Sequence, residues 1–165
     1  MLTEIETGRL VLRPFVAADR PSAVRLQTDP RTNRFTPDPP DAAAMQQVFD
    51  DWLAHWANHG YGYCAVRERG QPEVIGLAGV RNREYHGETV LNLAYRFSPS
   101  HWGHGYASEA AKAVVDWAER EVPSIPVLIS VSVQNTASLR VAEKLGFTRY
   151  VEEVYRGELS RHFRR

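Results

Sequence analysis

The stretch from Thr89 to Val133 limits the fold more than any other part of this chain. It reads as a strand ending at Phe97, a stop at Pro99, the glycine turn Trp102-Gly103-His104-Gly105-Tyr106-Ala107, a helix, and a second strand. In the helix, Ala107, Ala110, Ala111, Val114, Val115 and Ala118 recur at helical spacing and form one apolar face for packing. Pro123 and Pro126 bracket a loop, and Val127 to Val133 is then a near-continuous β-branched run. Such a run marks a strand covered on both faces. Strands and helices are mixed here, which predicts a sheet with helices packed on its faces.

The flanking segments fit that plan. Arg9 to Phe15 alternates polar and apolar, and Pro14 places this strand at an edge or ends it. Asp19 is the expected cap of a helix over Arg20 to Gln27, with Pro21 in its first turn. Asp41 caps a second helix that ends at Gly60, with Met45, Phe49, Trp52, Leu53 and Trp56 on one face. Tyr61 to Arg67, Val74 to Arg81 and Thr89 to Phe97 read as strands separated by turns at Gly70-Gln71-Pro72 and His86-Gly87. Asn135 or Thr136 starts a last helix that carries Val141, Ala142 and Leu145 inward and stops at Gly146. Phe147 to Arg165 forms two strands about Arg156-Gly157. The expected order is β-α-α-β-β-β-α-β-α-β-β in a single domain spanning residues 1–165.

Composition removes several classes of function. Lys+Arg and Asp+Glu balance at 20 each, so no global charge favours nucleic acid or an anionic membrane. The basic tail Arg161-His162-Phe163-Arg164-Arg165 reads as a solvated edge strand. The one cysteine, Cys64, cannot form an intramolecular disulfide and is expected as a buried strand residue in a reducing, cytoplasmic protein. No apolar run approaches the ~20 residues of a membrane span, and the acidic, alternating start is unlike a signal peptide. His55 and His59 have the i, i+4 spacing of a zinc pair, but Trp56 follows the first and no third ligand is apparent, so the expectation is packing and no metal.

The glycine turn is the one segment with chemistry of its own. Two glycines let successive N–H groups curl inward at a helix N-terminus, a nest suited to a diphosphate. Position 108 is Ser, so the dinucleotide fingerprint is incomplete, and no Gly-Lys-Ser/Thr of a phosphate loop follows. The turn alone does not separate a diphosphate site from a plain tight turn.

Three segments together resemble the GCN5-related N-acetyltransferase (GNAT) superfamily. They are Thr7-Gly8-Arg9-Leu10-Val11-Leu12-Arg13-Pro14, the run Tyr95 to Ala110 with its glycine turn, and Asn135-Thr136-Ala137-Ser138-Leu139-Arg140-Val141-Ala142-Glu143-Lys144-Leu145-Gly146-Phe147. Within it the chain resembles the branch that acetylates the N-termini of ribosomal proteins. The resemblance implies an α+β GNAT fold: a mixed, mostly antiparallel sheet of six to seven strands, splayed in the middle, with about four helices. It implies acetyl-CoA as cofactor and direct transfer to a primary amine, the N-terminus of a protein or peptide. The alternatives are a small amine (amino acid, polyamine or antibiotic) as acceptor, or a non-catalytic acyl-CoA sensor. The oligomeric state is open between a monomer and a homodimer, in which the C-terminal strands could pair.

The resemblance also assigns residues. The amides of Gly103 to Ser108, in the run Trp102, Gly103, His104, Gly105, Tyr106, Ala107 and Ser108, would hold the pyrophosphate. Trp102 stands where the superfamily pattern has Gln or Arg. The backbone of Tyr95 and Phe97 would run beside the pantetheine arm, with amides near Phe97 facing the developing oxyanion. Asn135 would bond the pantetheine region. Many relatives place a Tyr seven residues after that Asn as general acid to the thiolate. That position is Ala142 here, and Ser138 is the remaining donor. Relatives often carry Glu at the position of Asn92, so the general base is open among Glu84, His86, Glu88, His101 or water. Trp52 or Trp56 could border the acceptor cleft, and Glu109 has the charge that favours a helix N-terminus.

Overall fold

The computed structural model describes residues 1–165, and one eight-stranded sheet runs through it. The strands are β1 (Ile5–Glu6), β2 (Leu10–Pro14), β3 (Tyr63–Glu68), β4 (Gly76–Tyr85), β5 (Glu88–Phe97), β6 (Val127–Ser132), β7 (Tyr150–Tyr155) and β8 (Glu158–Arg164). Their order across the sheet is β1-β2-β3-β4-β5-β6-β8-β7, and only β5 and β6 pair in parallel. Helices α1 (Arg20–Thr28) and α2 (Ala42–His59) cover one face; α3 (Tyr106–Glu121) and α4 (Thr136–Lys144) cover the other.

Most of these elements follow from local chemistry. The Asp41 carboxylate accepts the Ala44 amide at 2.7 Å and caps α2, while Gly60 ends it in the left-handed region at φ +73°. His86 and Gly87 take φ of +49° and +75°, as in the primed turn that matches the twist of a long β-hairpin, and β4 and β5 pair over ten residues from it.

Several expectations need correction. The sheet has eight strands, not six or seven, partly because the two-residue β1 pairs with β2 and makes β2 an interior strand. Asp19 does not cap α1 with its side chain. Its carboxylate is gripped by Arg13 at 2.7 and 3.0 Å and accepts the Val16 amide at 2.9 Å, which fixes the 3-10 turn before the helix. The basic tail is not an edge: β8 lies between β6 and β7, with His162 and Phe163 buried, and Arg161, Arg164 and Arg165 paired to Glu152, Glu88 and Glu119. His55 is buried with both ring nitrogens engaged, Nδ1 with the Tyr61 carbonyl and Nε2 with the Asn82 amide. Cys64, by contrast, is the buried strand residue expected, and burial pushes its thiol up to about 12.

Two apolar layers hold the helices on. On the α1/α2 face, Phe49 is fully buried, edge-on to Phe15 at 5.7 Å and beside Trp52 at 6.1 Å. Truncating a buried aromatic removes its burial and leaves a cavity. Phe49→Ala is therefore expected to cost ~3–5 kcal/mol, read as a lower urea midpoint with an unchanged m-value.

Candidate functional site

β5 and β6 stay together for only two residue pairs, Leu91 with Val127 and Asn92 with Leu128. Beyond them the strands part, because β6 remains zipped to β8 through Ser132 while β5 remains zipped to β4 through Phe97. Leu91 donates its amide toward β6, to the Pro126 carbonyl at 2.8 Å. By strand alternation the N–H and C=O groups of Tyr95 and Phe97 also face β6, and they look into the gap. The gap continues into a cavity of about 700 Å³.

The glycine turn closes the mouth of this cavity. Gly103 and Gly105 take φ of +81° and +78°, which L side chains rarely adopt. The amides of Gly103 through Ser108 donate to no acceptor in the protein; the first bond of the new helix runs from Glu109 to the Gly105 carbonyl at 3.1 Å. Six consecutive free N–H groups at a helix N-terminus form an anion nest. Trp102 is half exposed, but its Nε1 donates to the Phe97 carbonyl at 2.8 Å, which ties the turn to the end of β5.

The N-terminal strands hold the nest from outside. Glu109 Oε1 accepts from Thr7 Oγ1 at 2.6 Å and from the Arg9 amide at 2.8 Å, and Oε2 accepts from Arg9 Nε at 2.7 Å. Burial works to raise the Glu109 carboxyl, but these bonds from Thr7 and Arg9 outweigh it and hold the group below its ordinary value. The Arg9 guanidinium also lies over the Tyr106 ring at 4.6 Å, and Tyr106 donates to Glu68 at 2.8 Å. The role expected of Glu109 was helix charge; it also latches β1 and β2 to α3.

On the α3/α4 side of the gap, the Tyr95 hydroxyl is 2.7 Å from Ser138 Oγ. Burial pushes the Tyr95 phenol up to about 12, against the opposing effect of the Ser138 bond. Asn135 Oδ1 caps α4 by accepting the Ser138 amide at 3.1 Å, which leaves its Nδ2 free at the cavity. Ala142 is fully buried.

The α1/α2 side is polar and was not legible in the sequence. Arg83 Nη1 donates to Asn92 Oδ1 at 3.0 Å and to Ser130 Oγ at 2.8 Å, and Asn92 donates to the Tyr63 hydroxyl at 2.9 Å. Ser130 Oγ is 2.7 Å from His162 Nδ1. His162 Nε2 is buried without a hydrogen-bond partner, 3.8 Å from Glu153 Oε1. Burial holds this imidazole below its ordinary value although Glu153 pulls the other way. Glu153 itself accepts from Tyr85 at 2.6 Å and meets His86 Nε2 at 2.9 Å. β7 reaches β4 across three intervening strands, so the sheet curls into a concave floor.

Ten expected residues line this cavity: Tyr95, Phe97, Trp102, Gly103, Gly105, Tyr106, Ala107, Ser108, Asn135 and Ser138. His104 is exposed and does not line it; its ring stacks on Tyr106 at 5.5 Å. Of the expected bases, only His101 lines the cavity, and it is 3.3 Å from Glu68. Glu84, His86 and Glu88 sit at the hairpin end and are bound to Thr89, Glu153 and Arg164. Trp52 packs in the core against Tyr63, and Trp56 donates to the Tyr63 carbonyl at 2.7 Å; neither lines the cavity.

Residues 9–148 match the family model described as an acetyltransferase (GNAT) domain. The chain is 37% identical over 91 residues to the uncharacterized protein YkkB of Bacillus subtilis (strain 168), a match covering 53% of this chain and 52% of that protein. The chain thus spans about half the length of that relative. An acetyltransferase from Agrobacterium tumefaciens str. C58 superposes with a TM-score of 0.81 at 30% identity, covering 100% of this chain and 95% of that one. A spermidine N-acetyltransferase from Vibrio cholerae, solved with CoA and spermine, superposes with a TM-score of 0.74 at 16% identity, covering 96% and 95%. At that identity the likeness concerns the fold.

The latch carries its own prediction. A carboxylate whose pKa is depressed on folding stabilises above its unfolded value, and the gain is lost as pH falls through the folded one. Glu109→Gln is expected to cost ~1–2 kcal/mol near pH 7. In melts at successive pH values, the gap to wild type should close below the ordinary carboxyl value of 4.5.

Proposed function

The chain belongs to the acetyltransferase (GNAT) domain family, and from that membership we propose that it moves an acetyl group from acetyl-CoA to a primary amine, the N-terminus of a protein or peptide. The observation that carries the cofactor is the run of six unbonded amides from Gly103 to Ser108 at the mouth of the gap. A diphosphate fits this nest by charge and by donor geometry, and a chain with its own amides fits the open β5 edge as a further strand would.

The acceptor reading rests on two observations. The segments Thr7 to Pro14, Tyr95 to Ala110 and Asn135 to Phe147 resemble the branch acting on ribosomal-protein N-termini. The cavity lining includes Arg31, Arg34, Arg96 and His101 but no carboxylate, which is unfavourable for a polyamine.

Acetyl-CoA, when bound, supplies the thioester whose C–S bond breaks as the C–N bond to the acceptor forms. The residues here supply position and protons. An α-amine, with a pKa of about 7.7–8.0, is partly neutral at pH 7, so it needs less help from a base than a lysine does. The backbone of Tyr95 and Phe97 lines the gap as donor and acceptor, and Asn135 Nδ2 adds a donor opposite. The Tyr95 phenol carries its proton at neutral pH, as an ordinary phenol does, and burial pushes it up further, to about 12. With Ser138 Oγ 2.7 Å away, the pair would supply that proton to the leaving thiolate, while the proton lost by the amine would pass to water. A phenol is a stronger acid than the Ser138 hydroxyl, which serves to orient it.

Two measurements test this reading. Calorimetry should show wild type binding acetyl-CoA at micromolar affinity or better, and Gly105→Asp, which sets a carboxylate beside the nest, should lose binding by at least ~100-fold; no binding by wild type sinks the proposal. Thiol release with a peptide panel should then show Tyr95→Phe lowering kcat by ~10²-fold with little change in KM, and Ser138→Ala lowering it less. An unchanged kcat in Tyr95→Phe removes the phenol from the proton path.

A further inference from the structure

We infer that the acceptor carries a carboxylate close to its reacting amine, and that Arg81 and Arg83 receive it. This rests on the acyl-transfer reading above and names the substrate class of the same site.

Arg81 and Arg83 are two residues apart on β4, so both side chains leave the same face, roughly 7 Å apart along the strand. The register sets Arg81 opposite Asn92 and Arg83 opposite Val90. That is the face of the α1/α2 layer, and Asn92 is the last β5 residue paired to β6. Both residues therefore leave the sheet beside the closed end of the gap, outside the lining of the 700 Å³ cavity, and Arg83 reaches across that end to Asn92 and Ser130. The phosphate nest stands at the other end, past Phe97, so the anionic end of a cofactor lies away from them.

Neither arginine has a counter-charge. Nine other arginines of the chain form ion pairs with carboxylates. The Arg81 side chain makes no hydrogen bond, and its Nε is buried with no acceptor. Arg83 uses only Nη1, on the neutral oxygens of Asn92 and Ser130, while its guanidinium lies over the Tyr155 ring at 4.5 Å and the Tyr85 ring at 5.4 Å. The carboxylate on this floor, Glu153, is taken by Tyr85 and His86. Farther along the same face, Arg96 also meets only neutral oxygens, of Asn33 at 2.7 Å and Thr36 at 3.2 Å.

Half-buried guanidinium groups without an anion are unfavourable. A ligand carboxylate would supply the missing charge and accept from the free forks, as arginine does for planar carboxylates. The same charges repel an acceptor that is only cationic. Two kinds of acceptor share the chemistry: a free α-amino acid, through its own carboxylate, and a peptide whose first residue is acidic, through its side chain.

The test uses the full-length, CoA-loaded protein and two matched pairs, L-alanine against L-alaninamide, and a C-terminally amidated peptide beginning with aspartate against its asparagine counterpart. In calorimetry, the acid member of one pair should bind at least ~10-fold tighter than its neutral partner, and the pair that responds identifies the source. Arg81→Gln should bring that ratio to about one, while Arg81→Lys keeps part of it. Arg81→Gln is expected to fold because the Arg81 side chain bonds to nothing in the protein; its melting midpoint checks this, and Arg83→Gln serves as the second variant. Equal binding within both pairs, no binding of either acid, or a preference that survives both glutamine variants overturns the inference. Acid-selective binding without thiol release from acetyl-CoA supports this subsite and overturns the transfer reading.

Discussion

The structure depends on the separation of β5 from β6. A sheet is held by its backbone ladder, and buried N–H and C=O groups without partners are costly. Here the ladder stops after Asn92 and Leu128 although both strands continue. The opening persists because each strand is fully paired on its other side, β5 to β4 and β6 to β8. Trp102 reinforces it by donating to the Phe97 carbonyl, which occupies one group of the open edge from within the protein. The remaining groups of that edge are left for water or for a ligand with peptide-like amides.

A nest of free amides at a helix start attracts anions only if nearby carboxylates do not cancel it. Glu109 lies in the first turn of α3, where its charge is well placed for the helix but close to any bound phosphate. The latch resolves this conflict. Thr7 and the backbone of Arg9 turn the carboxylate outward, and the Arg9 side chain neutralises it at 2.7 Å. The N-terminal segment that seemed only a strand signature is thus part of the anion site's electrostatics.

The sequence was most readable where local rules decide. The Asp41 cap, the Gly60 stop, the His86-Gly87 turn, the apolar face of α3 and the glycine nest each follow from a few neighbouring residues. It was least readable where distant strands meet. Asp19 looked like a cap because its contact with Arg13 depends on how β2 enters the 3-10 turn. The tail looked like a solvated edge because nothing within it says that β7 will pair outside it. Arg83, Ser130, His162 and Glu153 come from four strands and join only through the curl of the sheet. No spacing in the sequence could have grouped them. A weak signal existed in the alternation of β8, where His162 falls in phase with Ser160 and both are buried.

The two sides of the gap are divided by parity along β5. Tyr95 is odd and sends its phenol to α4; Asn92 and Arg96 are even and reach the α1/α2 layer. A slip of one residue would exchange the sets, so the pairing of β4 with β5 determines which chemistry faces which side. Position 142 on α4 holds a fully buried alanine. Tyr95 reaches the same helix from the strand and meets Ser138, so a proton donor borders the gap without enlarging α4. Because Tyr95 also lends its backbone to the open edge, one residue borders the gap with both its main chain and its phenol, and the distance between them is set by a side chain with only two rotatable bonds before its hydroxyl.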